Sequence, residues 1–284
     1  MTRTIERDSI MIKFVIFLIS AVIVIGLFYI LTLKGRVGFA DWEQFKGYYF
    51  AHRGLHNNST APENSMEAFR RAKEKGYGAE LDVHLMSDGN LAVIHDSSLL
   101  RTAGVDVKIE NLTKRDLKNY YLEGTAENIP TLNEVLALFD GKAPLIIELK
   151  SDGKNFPALC NRVCEELKSY KGAYCIESFD PRCIYWFAKN CPDVIRGQLS
   201  ENYFRNKNSK VPFVLKLLMT GLLTNFLTKP DFIAYRFRDR SDLSYRICMN
   251  FWKMQGVGWT ITDQNDMESA QKENIFPIFE KFNP

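Results

Sequence analysis

Ionisable residues interrupt apolar runs at four places in the first half of this chain. His52 and Arg53 close the run 48–54, Glu80, Asp82 and His84 alternate with Leu81, Val83 and Leu85, His95 and Asp96 end the run that begins at Leu91, and Glu148 and Lys150 flank Leu149. In an extended strand alternate side chains share a face, so Glu80, Asp82 and His84 point one way, and so do Glu148 and Lys150. Burying an ionised carboxylate without a partner costs several kcal/mol. Glu80, Asp82 and Glu148 therefore need positive charge. Arg53 and Lys150 can supply some of it, and a metal does so better. An all-oxygen ligand set selects Mg²⁺ or Ca²⁺ over zinc or copper. His52, His84 and His95 stand among these groups, and an imidazole has an ordinary pKa suited to proton transfer near neutrality.

These residues need a scaffold that brings several strand ends together. Short apolar runs alternate with amphipathic stretches from residue 48 onward, the pattern of a βα series with a parallel sheet. Eight strand candidates stand at 48–54, 79–85, 144–150, 174–179, 194–199, 232–237, 257–262 and 275–279. Helices are expected at 65–75, 132–139, 157–170, 181–189, 212–227, 243–254 and 266–272. The first has Asn64 as its expected cap, Glu67 three residues later and Gly76 at its end. The run Leu91–His95 follows the second strand after a turn of only Ser87-Asp88-Gly89-Asn90. A turn so short joins antiparallel strands, so this run folds back as a hairpin. The remainder predicts an α/β fold, a TIM (β/α)8 barrel with a β-hairpin and a small insertion (97–130) after strand 2 and without an eighth helix. Such barrels carry their active sites at the C-terminal strand ends.

Composition is ordinary for a globular protein, with 46% hydrophobic and 25% charged residues. A net charge of +3 leaves no electrostatic footprint for nucleic acid. One segment stands apart: residues 14–33 carry no charge, and twenty residues of helix span about 30 Å, a bilayer core. The expected organisation is an N-terminal flank (1–13), a retained single-pass transmembrane helix (14–33), a linker (34–46) and the barrel (47–284). The barrel's side of the membrane stays open. Arg3, Arg7 and Lys13 before the segment, against Lys34 and Arg36 after it, place the N-terminus inside. Six cysteines read as buried and mostly unpaired point instead to a reducing compartment.

The string AHRGLH, APENSMEAF, GYGAELDVHLMSDGNLAVIHDSSLLR, IPTLNEVL and PLIIELK over residues 50–150 resembles the glycerophosphodiester phosphodiesterase family. Beyond it the likeness thins to Ser178-Phe179 and Gly258–Thr262, and the segment Ile275–Glu280 departs from the family's usual Thr-Asp-proline ending. The resemblance implies a TIM barrel that hydrolyses glycerophosphodiesters to glycerol 3-phosphate and an alcohol. It implies His52 and His95 as the acid–base pair, Glu80, Asp82 and Glu148 as ligands of one divalent cation, and Arg53 and Lys150 as phosphate contacts. Trp259 is expected to wall the substrate pocket. A lysophospholipase D acting on membrane lysophospholipids is the alternative, and a non-catalytic barrel the third reading. Expected partners are the substrate and the membrane, with no nucleic acid and no protein partner. His56, Glu63, Asn64 and His84 read first as structural neighbours of the site. Arg236, Arg238 and Arg240 read as a solvated cluster, and 211–227 as a core helix able to lie on a membrane.

Overall fold

A computed structural model of the chain describes residues 2–57, 59–207 and 209–284. Nine strands form: β1 Phe50–Ala51, β2 Gly78–Leu85, β3 Leu91–Val93, β4 Leu145–Leu149, β5 Tyr174–Ser178, β6 Arg196–Ser200, β7 Phe232–Arg236, β8 Gln255–Ile261 and β9 Ile275–Phe279. Eight of them run parallel, and β1 pairs with both β2 and β9, which closes the barrel. β3 pairs antiparallel with β2, Val83 opposite Val93 and Leu85 opposite Leu91, as the short turn requires. Register fixes which side chains share the interior. Asp82 lies beside Glu148, and Glu148 beside Glu177, across three adjacent strands.

Two apolar layers hold this arrangement. Inside the barrel, Phe50, Ile146, Cys175, Phe232, Val257 and Phe276 pack as one buried cluster. Trp42 and Phe45 close its lower end, with ring centroids 5.9 Å from Phe232 and 6.3 Å from Phe50 respectively. A Cβ at Gly197 would sit 2.1 Å from the Phe232 ring, so glycine there is what admits this phenylalanine. Burying each such ring contributes about 1.5–3 kcal/mol. Outside the barrel, the opposite strand faces pack against α2 Met66–Glu74, α4 Leu132–Phe139, α5 Phe156–Leu167 and α6 Pro181–Asn190, and against α10 Gln264–Lys272 near the chain's end. The insertion forms a small subdomain. Its helix α3, Leu100–Ala103, and three single turns surround a separate core that includes Leu99, Ile109, Leu117 and Ile129.

Several local expectations are corrected. Ser65, not Asn64, caps α2, its side chain accepting from the Ala68 backbone N–H. Asn64 has a left-handed backbone and is turned into the barrel instead. The helix expected at 212–227 breaks into α7 Phe213–Thr220 and α8 Asn225–Thr228, with Leu222 at positive φ between them. The next helix, α9 Leu243–Arg246, widens into a π turn over Ile247–Phe251. Four cysteines are buried and free as expected, but Cys164 and Cys191 form a disulfide joining α5 to the end of α6. Only the packing of those two helices brings the pair together, 27 residues apart.

The N-terminal helix α1, Thr2–Thr32, contains an apolar stretch Met11–Thr32 long enough to cross a bilayer, and none of its most apolar window is buried. The residues after it do not form the free linker expected over 34–46. Leu33 is fully buried, and its carbonyl accepts from the Asn225 side chain. Arg36 forms a two-pronged ion pair with buried Asp231, both contacts at 2.7 Å. The Trp252 indole donates to the Ile30 carbonyl at 2.8 Å.

Candidate active site

The upper end of the barrel opens into a cavity of about 140 Å³ lined by His52, Arg53, Glu80, His95, Glu148, Lys150, Glu177 and Trp259, among others. The chain turns sharply where β1 ends. Arg53 and Gly54 both take positive φ, and a Cβ at Gly54 would meet the Ala68 backbone at 2.8 Å. This turn aims the Arg53 backbone N–H at Glu80 Oε2, 3.1 Å away, and its guanidinium at Glu63 and Asp82.

Each histidine keeps one ring nitrogen on a carboxylate. His52 Nδ1 lies 2.8 Å from Glu280, and its Nε2 faces Glu80 at 3.9 Å. His95 Nδ1 lies 2.6 Å from Asp96. Burial pulls both imidazoles down, His95 to about 4, so each is neutral near pH 7. With Nδ1 donating to its carboxylate, the neutral tautomer leaves Nε2 as the acceptor. His84 holds this geometry from behind. Its ring nitrogens bind Glu110 at 2.8 Å and the His95 carbonyl at 3.1 Å. A chain of charges ties the first loop to the insertion: Arg53 to Glu63, Glu63 to Arg101, Arg101 to Asp96 and Asp96 to His95.

The acidic residues are crowded. Glu80, Glu148 and Glu177 each offer an oxygen within 4.8 Å of the others, and all three are buried. Burial and the neighbouring carboxylates push Glu80 well above the usual range. Glu177 is likewise pushed up by burial, then by Glu148. Burial raises Glu148 to about 7, although Lys150 opposes it. Asp82 differs: burial raises it, but Lys150, His95 and Arg53 outweigh burial and hold it well below the carboxylate range. It accepts from Asn64 at 2.9 Å and pairs with Lys150 at 3.0 Å. Lys150 also reaches Glu148 at 2.7 Å.

A divalent cation fits these residues. Three carboxylates converge at the cavity, Glu80, Glu148 and Glu177, while Asp82, expected from the sequence to join Glu80 and Glu148, lies outside that group and is held by Lys150, Arg53 and Asn64. One oxygen of Glu177 is buried without a hydrogen-bond partner among the described residues. Three crowded carboxyls that a cation would relieve of their raised pKa values, and an orphaned acceptor in an all-oxygen set, suit Mg²⁺ or Ca²⁺. Glu177 was not singled out from the sequence. Its signal was a lone acid sharing a strand face with Cys175, one strand beyond Glu148. A second group, His52, His56 and Glu280, also converges, but here hydrogen bonding to both histidines holds the Glu280 carboxylate far below its usual range.

Trp259 stands edge-on to Phe179, ring centroids 5.6 Å apart, and its buried indole N–H has no partner among the described residues. The pair forms the apolar wall opposite the carboxylates. Arg236 does not belong to a solvated cluster: it pairs with Glu201 and Asp239. Arg240 stacks on Phe237 and pairs with Glu273.

Residues 52–190 match the family model described as the glycerophosphoryl diester phosphodiesterase family. A glycerophosphodiester phosphodiesterase of Bacillus altitudinis is 36% identical over 156 residues, covering 51% of this chain and 63% of the relative. One from Caldanaerobacter subterraneus is 36% identical over 133 residues, covering 44% of this chain and 54% of the relative. The chain thus matches little more than half the length of these curated relatives. A lysophospholipase D of Rattus norvegicus is 32% identical over 142 residues, covering 45% of this chain and 43% of that one. Among solved structures, a glycerophosphodiester phosphodiesterase from Thermotoga maritima superposes with a TM-score of 0.61 at 24% identity, over 82% of this chain and 93% of that one. An Oleispira antarctica phosphodiesterase, solved with the product sn-glycerol-3-phosphate, gives 0.67 at 21% identity over 83% and 93%. At these identities the superpositions establish the barrel.

Proposed function

Since the chain belongs to the glycerophosphoryl diester phosphodiesterase family, we propose that it hydrolyses glycerophosphodiesters to glycerol 3-phosphate and an alcohol, with a divalent cation. The observation that carries the reading is the cavity in which two carboxylate-tethered histidines face a cluster of buried acids. The Oleispira phosphodiesterase, bound to glycerol 3-phosphate on a similar barrel, supports it.

Glu80, Asp82 and Glu148 would hold the cation, with Glu177 as a fourth carboxylate. When bound, the cation supplies charge stabilisation to the phosphoryl oxygens. Lys150 now stands between Asp82 and Glu148, neutralising both. With a cation held there, Lys150 would be the ammonium available to a phosphate oxygen. Arg53 points from the same rim and adds a second positive group. Trp259 and Phe179 bound the pocket, and the free indole N–H is a donor for a substrate oxygen.

One imidazole takes a proton from the attacking water, or from the neighbouring glycerol hydroxyl whose cyclic phosphate water then opens, as its oxygen bonds to phosphorus, and the other delivers a proton to the oxygen whose P–O bond breaks, each worth typically ~10²–10⁴ in rate. Glu280 and Asp96 each hold one ring nitrogen, so both rings present Nε2 to the pocket. Both rings are neutral in the free protein, so the ring that donates must first take up a proton. Assay of the full chain on glycerophosphocholine, with Mg²⁺, Ca²⁺ or chelator, tests the reading. Turnover unaffected by thorough chelation would overturn the cation-dependent form.

A second reading, lysophospholipase D activity, is favoured by α1, whose 22-residue apolar stretch would hold the barrel at a lipid surface. In both readings α1 anchors the chain as a single-pass span. The Cys164–Cys191 bond favours an oxidising compartment for the barrel, in line with the positive charges Arg3, Arg7 and Lys13 at the N-terminal end of α1.

A further inference from the structure

We propose that the mouth of the barrel faces the bilayer, with α7 embedded in the membrane interface beside α1. This rests on α1 being a membrane span. The direction of α1 follows from its contacts. Parallel strands run from the floor of the barrel to its mouth, so residues before a strand mark the floor and residues after it the mouth. At the lower end of α1, the Arg36 N–H donates to the Pro230 carbonyl and its guanidinium to the Pro192 carbonyl, just before β7 and β6. One turn higher, Leu33 meets Asn225 and Cys248. Higher still, Tyr29 reaches Ser244 at the start of α9, which follows β7 on the mouth side. The helix therefore descends along the barrel from mouth to floor. Its exposed stretch, from Met11 to about Phe28, extends beyond the mouth for roughly 27 Å at about 1.5 Å per residue.

α7 stands at that same rim. Ser200, the last residue of β6, donates to the Met219 carbonyl, and Ser244 donates to the Thr220 carbonyl at 2.7 Å. Ser244 thus lies between α1 and the foot of α7. Met219 is the one buried residue of α7 among those described. Phe213 is 70% exposed, Val214 63% and Leu217 50%. Phe204 stacks edge-on against Phe213, and Leu243 adjoins at the start of α9, 68% exposed. An apolar helix left in water at this cost has a partner, and the bilayer that receives α1 reaches this rim. Charge agrees: exposed Lys207 and Lys210 precede the apolar residues of α7, suited to lipid phosphates, while Arg205 pairs with Asp239 and Asp242 and Lys216 donates to the Ser209 carbonyl. Substrate would then enter from the interface, with the cavity's histidines and carboxylates turned toward lipid headgroups.

The test uses the full chain reconstituted in phosphatidylcholine–phosphatidylglycerol vesicles. Phe213→Cys and Phe251→Cys place a polarity-sensitive fluorophore on α7 and on the floor end of the π turn. Emission from position 213 should shift to the blue and be quenched by lipid-borne bromine, while position 251 stays water-like. The reverse pattern, or water-like emission from both sites, overturns the proposal whatever the enzyme's substrate proves to be. In the same vesicles, Phe213→Ser/Leu217→Ser should lower turnover of embedded lysophospholipid about tenfold or more and leave that of soluble glycerophosphocholine unchanged. Equal turnover of both substrates by this variant and the parent would also overturn it. If neither protein turns over either substrate, the enzymatic reading fails, and the fluorescence still decides the orientation.

Discussion

Glu280 Oε2 lies 2.8 Å from His52 Nδ1, across 228 residues of sequence and the seam that closes the barrel. His52 follows β1, Glu280 follows β9, and the two strands pair directly. The segment where the sequence departs from the family's usual ending thus supplies the carboxylate that orients the first histidine.

Replacing that carboxylate should cost catalysis without unfolding the chain. Glu280→Gln is expected to lower kcat about 10–100-fold, the usual range for a group that orients a functional histidine. The pH profile separates orientation from bulk damage. Burial lowers the His52 pKa, and Glu280 partly restores it. Removing the carboxylate lowers it further, so the acid limb governed by neutral His52 should move to lower pH. A fall in kcat with an unmoved limb would place Glu280 outside the mechanism.

His52→Ala and His95→Ala should each reduce turnover by about 10²–10⁴ while circular dichroism stays unchanged. Substrates with a good leaving group distinguish the two. A nitrophenyl ester needs little protonation at the leaving oxygen, so it should rescue the variant lacking the proton donor and not the other. Rescue of both variants, or near-parent activity in either, would break the acid–base assignment.

Cation binding should strengthen as pH rises. Glu148 is lifted to about 7, and Glu80 and Glu177 well above their ordinary values. A raised carboxylate pKa stabilises the cation-free fold most below the unfolded-state pKa, and that contribution is lost as pH climbs through the folded value. Cations oppose the loss by displacing the protons. The rise in Tm on adding Mg²⁺ or Ca²⁺ should therefore be small at pH 5 and larger at pH 8. Glu177→Gln should weaken binding in calorimetry at pH 8. An equal Tm shift at both pH values would separate these carboxyls from the ion.

Truncation reports on the packed segment after α1. A chain starting at Asp41 loses buried Leu33 and leaves Asp231 without Arg36, whose removal strands a buried carboxylate. Breaking one partner of such a pair costs about 3–5 kcal/mol. A start at Asp41 should show a clearly lower midpoint in urea than a start at Leu33. Matching midpoints would make residues 33–40 the free tether that their sequence suggested.

The barrel was legible because its signals are local. Leu132–Phe139 and Ile275–Phe279 matched expectation residue for residue, since one shows helical and the other strand patterning between clear breakers. The motifs around His52, Glu80, Asp82, His95 and Glu148 were legible as well, being charges set in apolar strands. What escaped were relationships made by the closed sheet. Glu177 joins the acids through its register with Glu148, and Glu280 reaches His52 through the seam. Asn64 looked like a helix cap because its type suits one, and Ser65 took that place while Asn64 turned inward to Asp82. The helix over 212–227 looked continuous because its composition is apolar throughout, and the positive φ of Leu222 left no trace in the pattern.

The two-residue strand β1 has one neighbour close behind it and another near the end of the chain, Phe50 lying beside Gly78 and Ile278. Synthesis proceeds from the N-terminus at about 5–20 residues per second. The apolar helix and both histidines are therefore made well before β9. While the last stretch is still being added, the barrel has an open edge and His52 has no carboxylate. By the proposed mechanism, ribosome-bound chains stalled before Ile275 would carry every motif residue of 50–150 and still turn over no substrate. In the proposed mechanism, His52 gains its orienting carboxylate only after β9 is made, long after the apolar helix α1 has left the ribosome.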